Sequence, residues 1–538
     1  MEQFADKIRG ALSRAAARQA ANGPPRTAQE DLAAWVKAHL LDTRLVVVSN
    51  REPYSHFRGE DGQIQWTRNA GGLTVALDSV VQATGGVWVA HGSGEADRDT
   101  ADERGRLPAP PDRPTYTLRR VWLSKEDHAL YYSGLSNSAL WPLCHVVYVR
   151  PRFSLEEWER YRDVNRRFAE AALEEIGDQP AMVFLQDYHL ALAARFIKEK
   201  RPDVKVALFW HIPWPNPEVF RIFPWKQELL DGMLANDMVG FHIRFHAHNF
   251  LDTVANELEA RVDRERVAVE RAGRRTWVRH FPIGVNVREI ELMAESPQTE
   301  QRVAKLRREL KLEDCAVGLG VDRLDYTKGI PERFDAVERL FEKHPEWVGR
   351  FAFIQIGVPS RIELSEYRDV LVRARAIAER INQRFPRRGG PTVTIIETNL
   401  DFRDLVPYYR LADLCAVTAL HDGMNLVAKE YLAATTDLDG ELVLSPFTGA
   451  ARELERAWLV SPYDLEAMAD AYHGALSEPL EARRERMVAL RETIQRHNIF
   501  DWAIEVFDTI QRLTLRTSPQ TEAMEAVPEE LKGGSGAA

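Results

Sequence analysis

Short apolar runs alternate with amphipathic stretches along most of this chain. Residues 45–48, 87–90, 182–185, 206–210, 238–241 and 278–282 each read as a buried strand bounded by polar residues, with helix-forming sequence between them. A charged helix over about 300–312 interrupts this series, and the alternation then resumes at 316–321, 351–356, 393–396, 414–420 and 442–444. Continuous apolar strands separated by helices predict parallel sheets covered on both faces, so the pattern gives an α/β fold of two doubly wound domains. Before the first strand, Phe4, Ile8 and Leu12 recur at helical spacing. Thr27 and Glu30 then predict a capping box on a helix carrying Leu32, Trp35, Val36 and Leu40. A polar stretch of about twenty residues before Gly71 reads as a loop, as does the charge- and proline-rich segment from Asp97 to Pro114. Trp502, Ile504, Val506, Phe507 and Ile510 mark a late helix expected to cross back onto the first domain. The resulting organisation is a helical extension (1–40), a first domain (41–290), a second domain (291–495), a returning helix (496–515) and a disordered polar tail (516–538).

Composition narrows the function classes. At 538 residues the chain is too long for one core, which agrees with two domains of roughly 200–250 residues. The 71 Lys and Arg against 81 Asp and Glu give a net charge of −10, which argues against nucleic-acid or membrane-surface partners and leaves room for a local basic pocket. Cys144, Cys315 and Cys415 are too few and too scattered for a disulfide framework or a zinc site, so a reducing cytoplasm is the expected compartment. No apolar run approaches the roughly 18 residues of a membrane span. Assembly into homo-oligomers is left open.

The chemistry gathers at strand ends. Arg51, Asp187, His211, Arg323, Arg361 and Asp422 all fall just past the carboxyl end of a predicted strand, the edge at which open α/β sheets bind ligands. The run from His421 to Glu430 reads as strand, Asp-Gly turn and helix start, and a helix N-terminus suits a phosphate. Within it Asp422 is placed to accept sugar hydroxyls and Glu430 to accept the two hydroxyls of a ribose. Gly71 and Gly72 would let backbone N–H groups approach a phosphate closely. Tyr132 and Trp141 supply aromatic surface that suits either a sugar ring or the core. Asp437 and Asp439 form an Asp-x-Asp, but they follow a polar stretch rather than an apolar strand, so a fused phosphatase is rejected and no metal or cofactor is expected.

Taken in order, Ser49-Asn50-Arg51, Ala70-Gly71-Gly72-Leu73, Leu140-Trp141-Pro142, Asp187-Tyr188-His189, the 211–215 run, Arg323-Leu324-Asp325-Tyr326 with Lys328-Gly329, and the 422–430 run resemble the trehalose-6-phosphate synthase family. The resemblance spans about 44–513. It implies two Rossmann-like domains of the GT-B kind, and retaining transfer of glucose from a nucleotide diphosphate, UDP-glucose foremost, to glucose 6-phosphate. Residue by residue, it places Arg323 and Lys328 on the donor diphosphate, with Gly71, Gly72, Gly423, Met424, Asn425, Leu426 and Val427 around it. Glu430 would hold the ribose, Phe402 would line the donor site, and Asp422 and His211 would hold the transferred glucose. Arg51, Tyr132, Trp141, Asp187 and Arg361 would bind the acceptor, the two arginines gripping its phosphate. The departing phosphate would help to deprotonate the acceptor on the same face. Three positions depart from the family pattern: His91 stands where Trp is frequent, His421 where Arg is usual, and Glu52-Pro53-Tyr54 is similar to glucosylglycerol-phosphate synthases. Those enzymes, the cyclitol-joining pseudo-glycosyltransferases and a non-catalytic regulatory subunit are the alternatives. The sequence leaves the donor base open among uracil, guanine and adenine.

Overall fold

A computed structural model describes residues 26–69, 71–361 and 363–515. The helix expected around Phe4 to Leu12, Ala70 and the 516–538 tail lie outside the described residues. In the first domain, ten strands form one sheet: β1 Arg44–Arg51, β4 Val87–His91, β5 Arg106–Ala109, β6 Tyr116–Val121, β7 Ala181–Gln186, β8 Lys205–Phe209, β9 Met238–Phe241, β10 Arg261–Asp263, β11 Ala268–Arg271 and β12 Arg274–His280. Their spatial order is β10-β11-β12-β9-β8-β7-β1-β4-β6-β5. From β12 to β6 all neighbours are parallel, and antiparallel strands finish both edges. A separate hairpin pairs β2 Tyr54–Arg58 with β3 Ile64–Arg68. The second domain is an all-parallel sheet in the order β15-β14-β13-β16-β17-β18. Its strands are β13 Ala316–Arg323, β14 Phe351–Val358, β15 Val393–Ile396, β16 Leu414–Val417, β17 Glu441–Leu444 and β18 Trp458–Leu459.

Each sheet reverses direction once, and those reversals position the site. β1 lies between β4 and β7, and β13 lies between β14 and β16. At such a point the connections leave to opposite sides and open a crevice at the strand ends. Arg51 closes β1, Asp187 follows β7, Arg323 closes β13 and Asp422 follows β16, so both crevices carry the predicted residues.

The helix Ile499–Leu515 packs on the first domain, where Trp502 Nε1 donates to Phe281 O at 3.2 Å and the Ile499 N–H donates to Val285 O. Its Phe507 ring meets Trp35 of the helix Ala28–His39, which carries the Thr27–Glu30 capping box. Among the described residues no helix is long and apolar enough to cross a membrane.

Several local expectations need correction. The segment from Asp97 to Pro114 is not all loop: Asp97–Thr100 is a helical turn and β5 pairs antiparallel with β6. Pro108 is tolerated because β5 is an edge strand with one partner. The polar stretch before Gly71 holds the β2–β3 hairpin, whose Tyr54 packs edge-on against Trp66. The 278–282 strand is Arg274–His280, recruited earlier by pairing to β9 and β11, and the 414–420 strand stops at Val417.

Candidate active site

The two crevices face each other across one cavity of about 670 Å³, within the size range of small-molecule sites. On the second-domain side, Arg323 lies over the Trp141 ring at 5.0 Å, with its guanidinium 3.8 Å from the buried Asp325 carboxylate. Lys328, in the turn that follows, donates to Asp422 Oδ2 at 2.5 Å, and Asn425 Nδ2 donates to the same oxygen at 3.1 Å. Burial pushes the Asp422 carboxyl up, but Lys328, with smaller contributions from His145 and Arg323, outweighs it and holds the group below the usual carboxylate range. The Asp-Gly turn sits hard against the first domain: a Cβ on Gly423 would lie 1.9 Å from His211 O. Asn425 then takes φ 72° and starts the helix Leu426–Ala434, whose first turn opens on the cavity. Gly72 faces that turn from the other domain, where a Cβ would be tightly placed, 3.0 Å from Leu426 and 3.1 Å from Glu430 Oε1. Glu430 accepts from Tyr409 Oη at 2.8 Å, and burial pushes its carboxyl up to about 7. Gly71, Phe402, Met424 and Val427 complete this end.

The other end is built from cations and rings. Arg51 Nη2 donates to Tyr132 Oη at 3.4 Å. From the opposite domain, the buried Arg361 guanidinium lies 4.6 Å from the Trp141 ring centre and 5.6 Å from that of Tyr132. It also donates to Tyr367 Oη at 2.7 Å and to Tyr188 Oη at 3.4 Å. Burial pushes the Tyr132 phenol up, but Arg361, Arg51 and Arg323 together bring it down to about 7. Asp187 accepts the backbone N–H groups of Tyr188 and His211, and desolvation still raises its carboxyl to about 7. Asp187, Arg361 and Asn425 all hold positive φ (73°, 52° and 72°), local strain of the kind that gathers at ligand sites. Asn50 Oδ1, Trp141 Nε1, His189 Nε2, Arg361 Nε and Asn425 Oδ1 are buried cavity-lining atoms with no hydrogen-bond partner among the described residues. Polar groups in that position suit a polar ligand.

His211 lines the cavity but both its ring nitrogens are engaged, Nε2 with Gln186 Oε1 at 2.9 Å and Nδ1 with His242 Nε2 at 3.2 Å. Its backbone also meets the other site residues: the N–H donates to Asp187 and the carbonyl lies against Gly423. Sequence reasoning passed over His128, His189, Gln186 and His242. His128 and Tyr132 stand four residues apart in the wide π-type coil His128–Leu140, a spacing that puts them on one face. His189 was visible in the Asp-Tyr-His strand end and stacks on Tyr132 at 5.6 Å.

The departures also find places. Glu52 lines the cavity beside Arg51, with its carboxylate bonded to the protein: it accepts from Ser93 N–H and Oγ, from Ser55 Oγ and from the fully buried Arg120. His421 bonds His145 O of the first domain at 2.7 Å, a contact between domains. Asp437 and Asp439 pair with Arg410 and Arg483 away from the cavity. His344, Glu346 and His473 cluster elsewhere, but the two imidazoles stack face to face at 3.6 Å and 2°, so no ion can lie in both ring planes.

The comparisons agree with this geometry. Residues 43–512 match Glycosyltransferase family 20, and the chain belongs to that family. It is 39% identical over 472 residues to the trehalose-6-phosphate synthase of Mycolicibacterium gilvum, covering 86% of this chain and 93% of the relative. Among solved structures it is similar to the E. coli trehalose-6-phosphate enzyme bound with UDP-2-fluoro glucose (TM-score 0.77, 32% identity, 88% and 99% covered). It is also similar to the UDP-forming alpha,alpha-trehalose-phosphate synthase of Burkholderia xenovorans in complex with glucose-6-phosphate (TM-score 0.77, 30% identity, 87% and 100% covered). The fold is therefore GT-B.

Proposed function

We propose that this family 20 glycosyltransferase moves glucose from UDP-glucose to glucose 6-phosphate with retention, giving trehalose 6-phosphate and UDP. The observation that carries the reading is the convergence of Arg51 and Arg361, from opposite domains, on Tyr132. Two guanidiniums around one phenol form a fork for a phosphate monoester. Trp141 supplies an apolar face for a hexose, and Asp187 supplies a hydroxyl acceptor. On the donor side, bond cleavage builds negative charge on the diphosphate. Arg323, Lys328 and the N-terminus of the helix Leu426–Ala434 would stabilise that charge in the cleft between the domains. Glu430 would hold the ribose. These cations do the work a metal ion does elsewhere, so no metal is assigned.

The test is a competition. Equal glucose 6-phosphate and glycerol 3-phosphate are offered with one nucleotide-glucose, and products are separated by mass. A short acceptor leaves buried polar groups unpaired at roughly 1–3 kcal/mol each, so the glucose adduct should dominate. A dominant glycerol adduct would move the acceptor assignment and leave the donor assignment standing. A panel of UDP-, GDP- and ADP-glucose reads the base.

A further inference from the structure

The phosphate end of the cavity holds two histidines that the reading above does not use. The His128 ring packs on Tyr132 at 4.7 Å and on His91 at 6.2 Å, and both histidines line the cavity beside Arg51. His91 Nδ1 lies 3.2 Å from Val121 O, so that nitrogen donates and Nε2 is the atom free to take a proton. Resting on the acceptor assignment, we propose that His128, backed by His91, is a third cationic arm of the phosphate site, and that it takes up a proton from solvent as a sugar-phosphate dianion enters.

The surroundings of His128 explain why the proton is absent before a dianion enters. His128 is held below the usual imidazole range by burial and by the neighbouring Arg51, against an opposing pull from Glu363. His91 is likewise lowered by burial, and His128 adds to that, against its hydrogen bond to Val121 and weaker pulls from Asp97 and Asp127. Asp127 is tied up by Ser124, Arg160 and Arg167, Asp97 by Arg120 and His56, and Glu363 accepts from Ser133 Oγ at 2.8 Å. Tyr132 beside it accepts from Arg51 and, held at about 7 by the arginines, also regains part of a proton as a dianion enters, so the His128 share is read as the difference between the parent and a His128 variant. His189 faces Arg361, Arg51 and Arg323 and is driven far below its ordinary range by burial and those charges, so it stays neutral. A dianion seated between Arg51 and Arg361 offsets the Arg51 charge that adds to the effect of burial on His128, and it attracts the proton itself. No bond between heavy atoms changes: a buffer acid or hydronium gives up one proton, and an N–H bond forms at the imidazole.

The test is calorimetric titration of glucose 6-phosphate into the full chain saturated with UDP, in Tris and in HEPES at about pH 7.5. There a phosphate monoester is already mostly dianion. The buffer dependence of the heat should report uptake of roughly 0.5–1 proton. The ligand's own residual proton would instead be released, so the sign separates the two sources. His128→Gln should lower the uptake by about half a proton or more, leaving only the share that Tyr132 regains, and should weaken binding about tenfold; its acceptor KM should lose most of the rise with pH expected of the parent chain. Binding with no net uptake, or unchanged uptake in His128→Gln, overturns this inference alone. No binding of glucose 6-phosphate while UDP still binds overturns the acceptor assignment and this inference with it.

Discussion

Arg323→Ala separates a catalytic cation from a structural one. Arg323 ends β13 with its side chain 28% exposed, and its ion partner Asp325 lies 3.8 Å away. Asp325 would keep Arg361 at 3.5 Å and the Thr327 N–H at 3.0 Å. The fold should therefore lose no more than about 1 kcal/mol, as for other partly exposed pairs. Activity should lose far more. A unit charge about 4 Å from a developing anion is worth about 4 kcal/mol at an effective dielectric of 20. Removal of a single oxyanion donor costs about 2.7–4 kcal/mol, so turnover should fall roughly 100- to 1000-fold. The ground-state diphosphate is already anionic, so donor KM should rise as well, but the larger effect belongs in kcat. The assay is initial-rate UDP release with both substrates varied, alongside thermal melting of each variant. Arg323→Lys, which keeps the charge and loses the fork, should recover part of the rate. Turnover within about threefold of the parent, with melting unchanged, would refute the assignment of Arg323 to the leaving group.

Glu430→Gln should raise donor KM by about 10- to 100-fold through weakened ribose contacts. Because burial raises the Glu430 carboxyl from 4.5 to about 7, the folded state binds its proton more tightly than the unfolded state, and stability is lost as pH rises between those values. The same variant should therefore melt higher above pH 7, by up to about 3 kcal/mol, and match the parent at low pH where both are neutral. Asp187→Asn keeps an oxygen for the Tyr188 and His211 N–H groups and tolerates φ 73°, so it should fold normally. Its kcat/KM for the acceptor should nevertheless fall about 10- to 100-fold, measured at saturating donor. Activity should survive a chelator undiminished; loss restored by manganese or magnesium would show that the arginine–lysine pair is not sufficient.

The periodicity of apolar runs was enough to give two doubly wound sheets, because a strand buried on both faces has to be apolar throughout and its neighbours have to be helices. It also put Arg51, Asp187, Arg323 and Asp422 at strand ends, since the polar residues that interrupt a buried run mark where it leaves the sheet. What sequence could not supply was which distant groups meet. The β5 edge strand and the β2–β3 hairpin exist because of partners across the sheet and the hairpin, and local composition alone read them as loop. That the Glu52 carboxylate is buried against Arg120, 68 residues away, could not be read from its place beside Arg51. His421 likewise acquired a meaning only through His145 of the other domain. The position of a charge along a chain is local information, whereas its burial, and hence the state in which Glu430, Asp187 and Tyr132 hold their protons, is set by the two domains closing on one cavity.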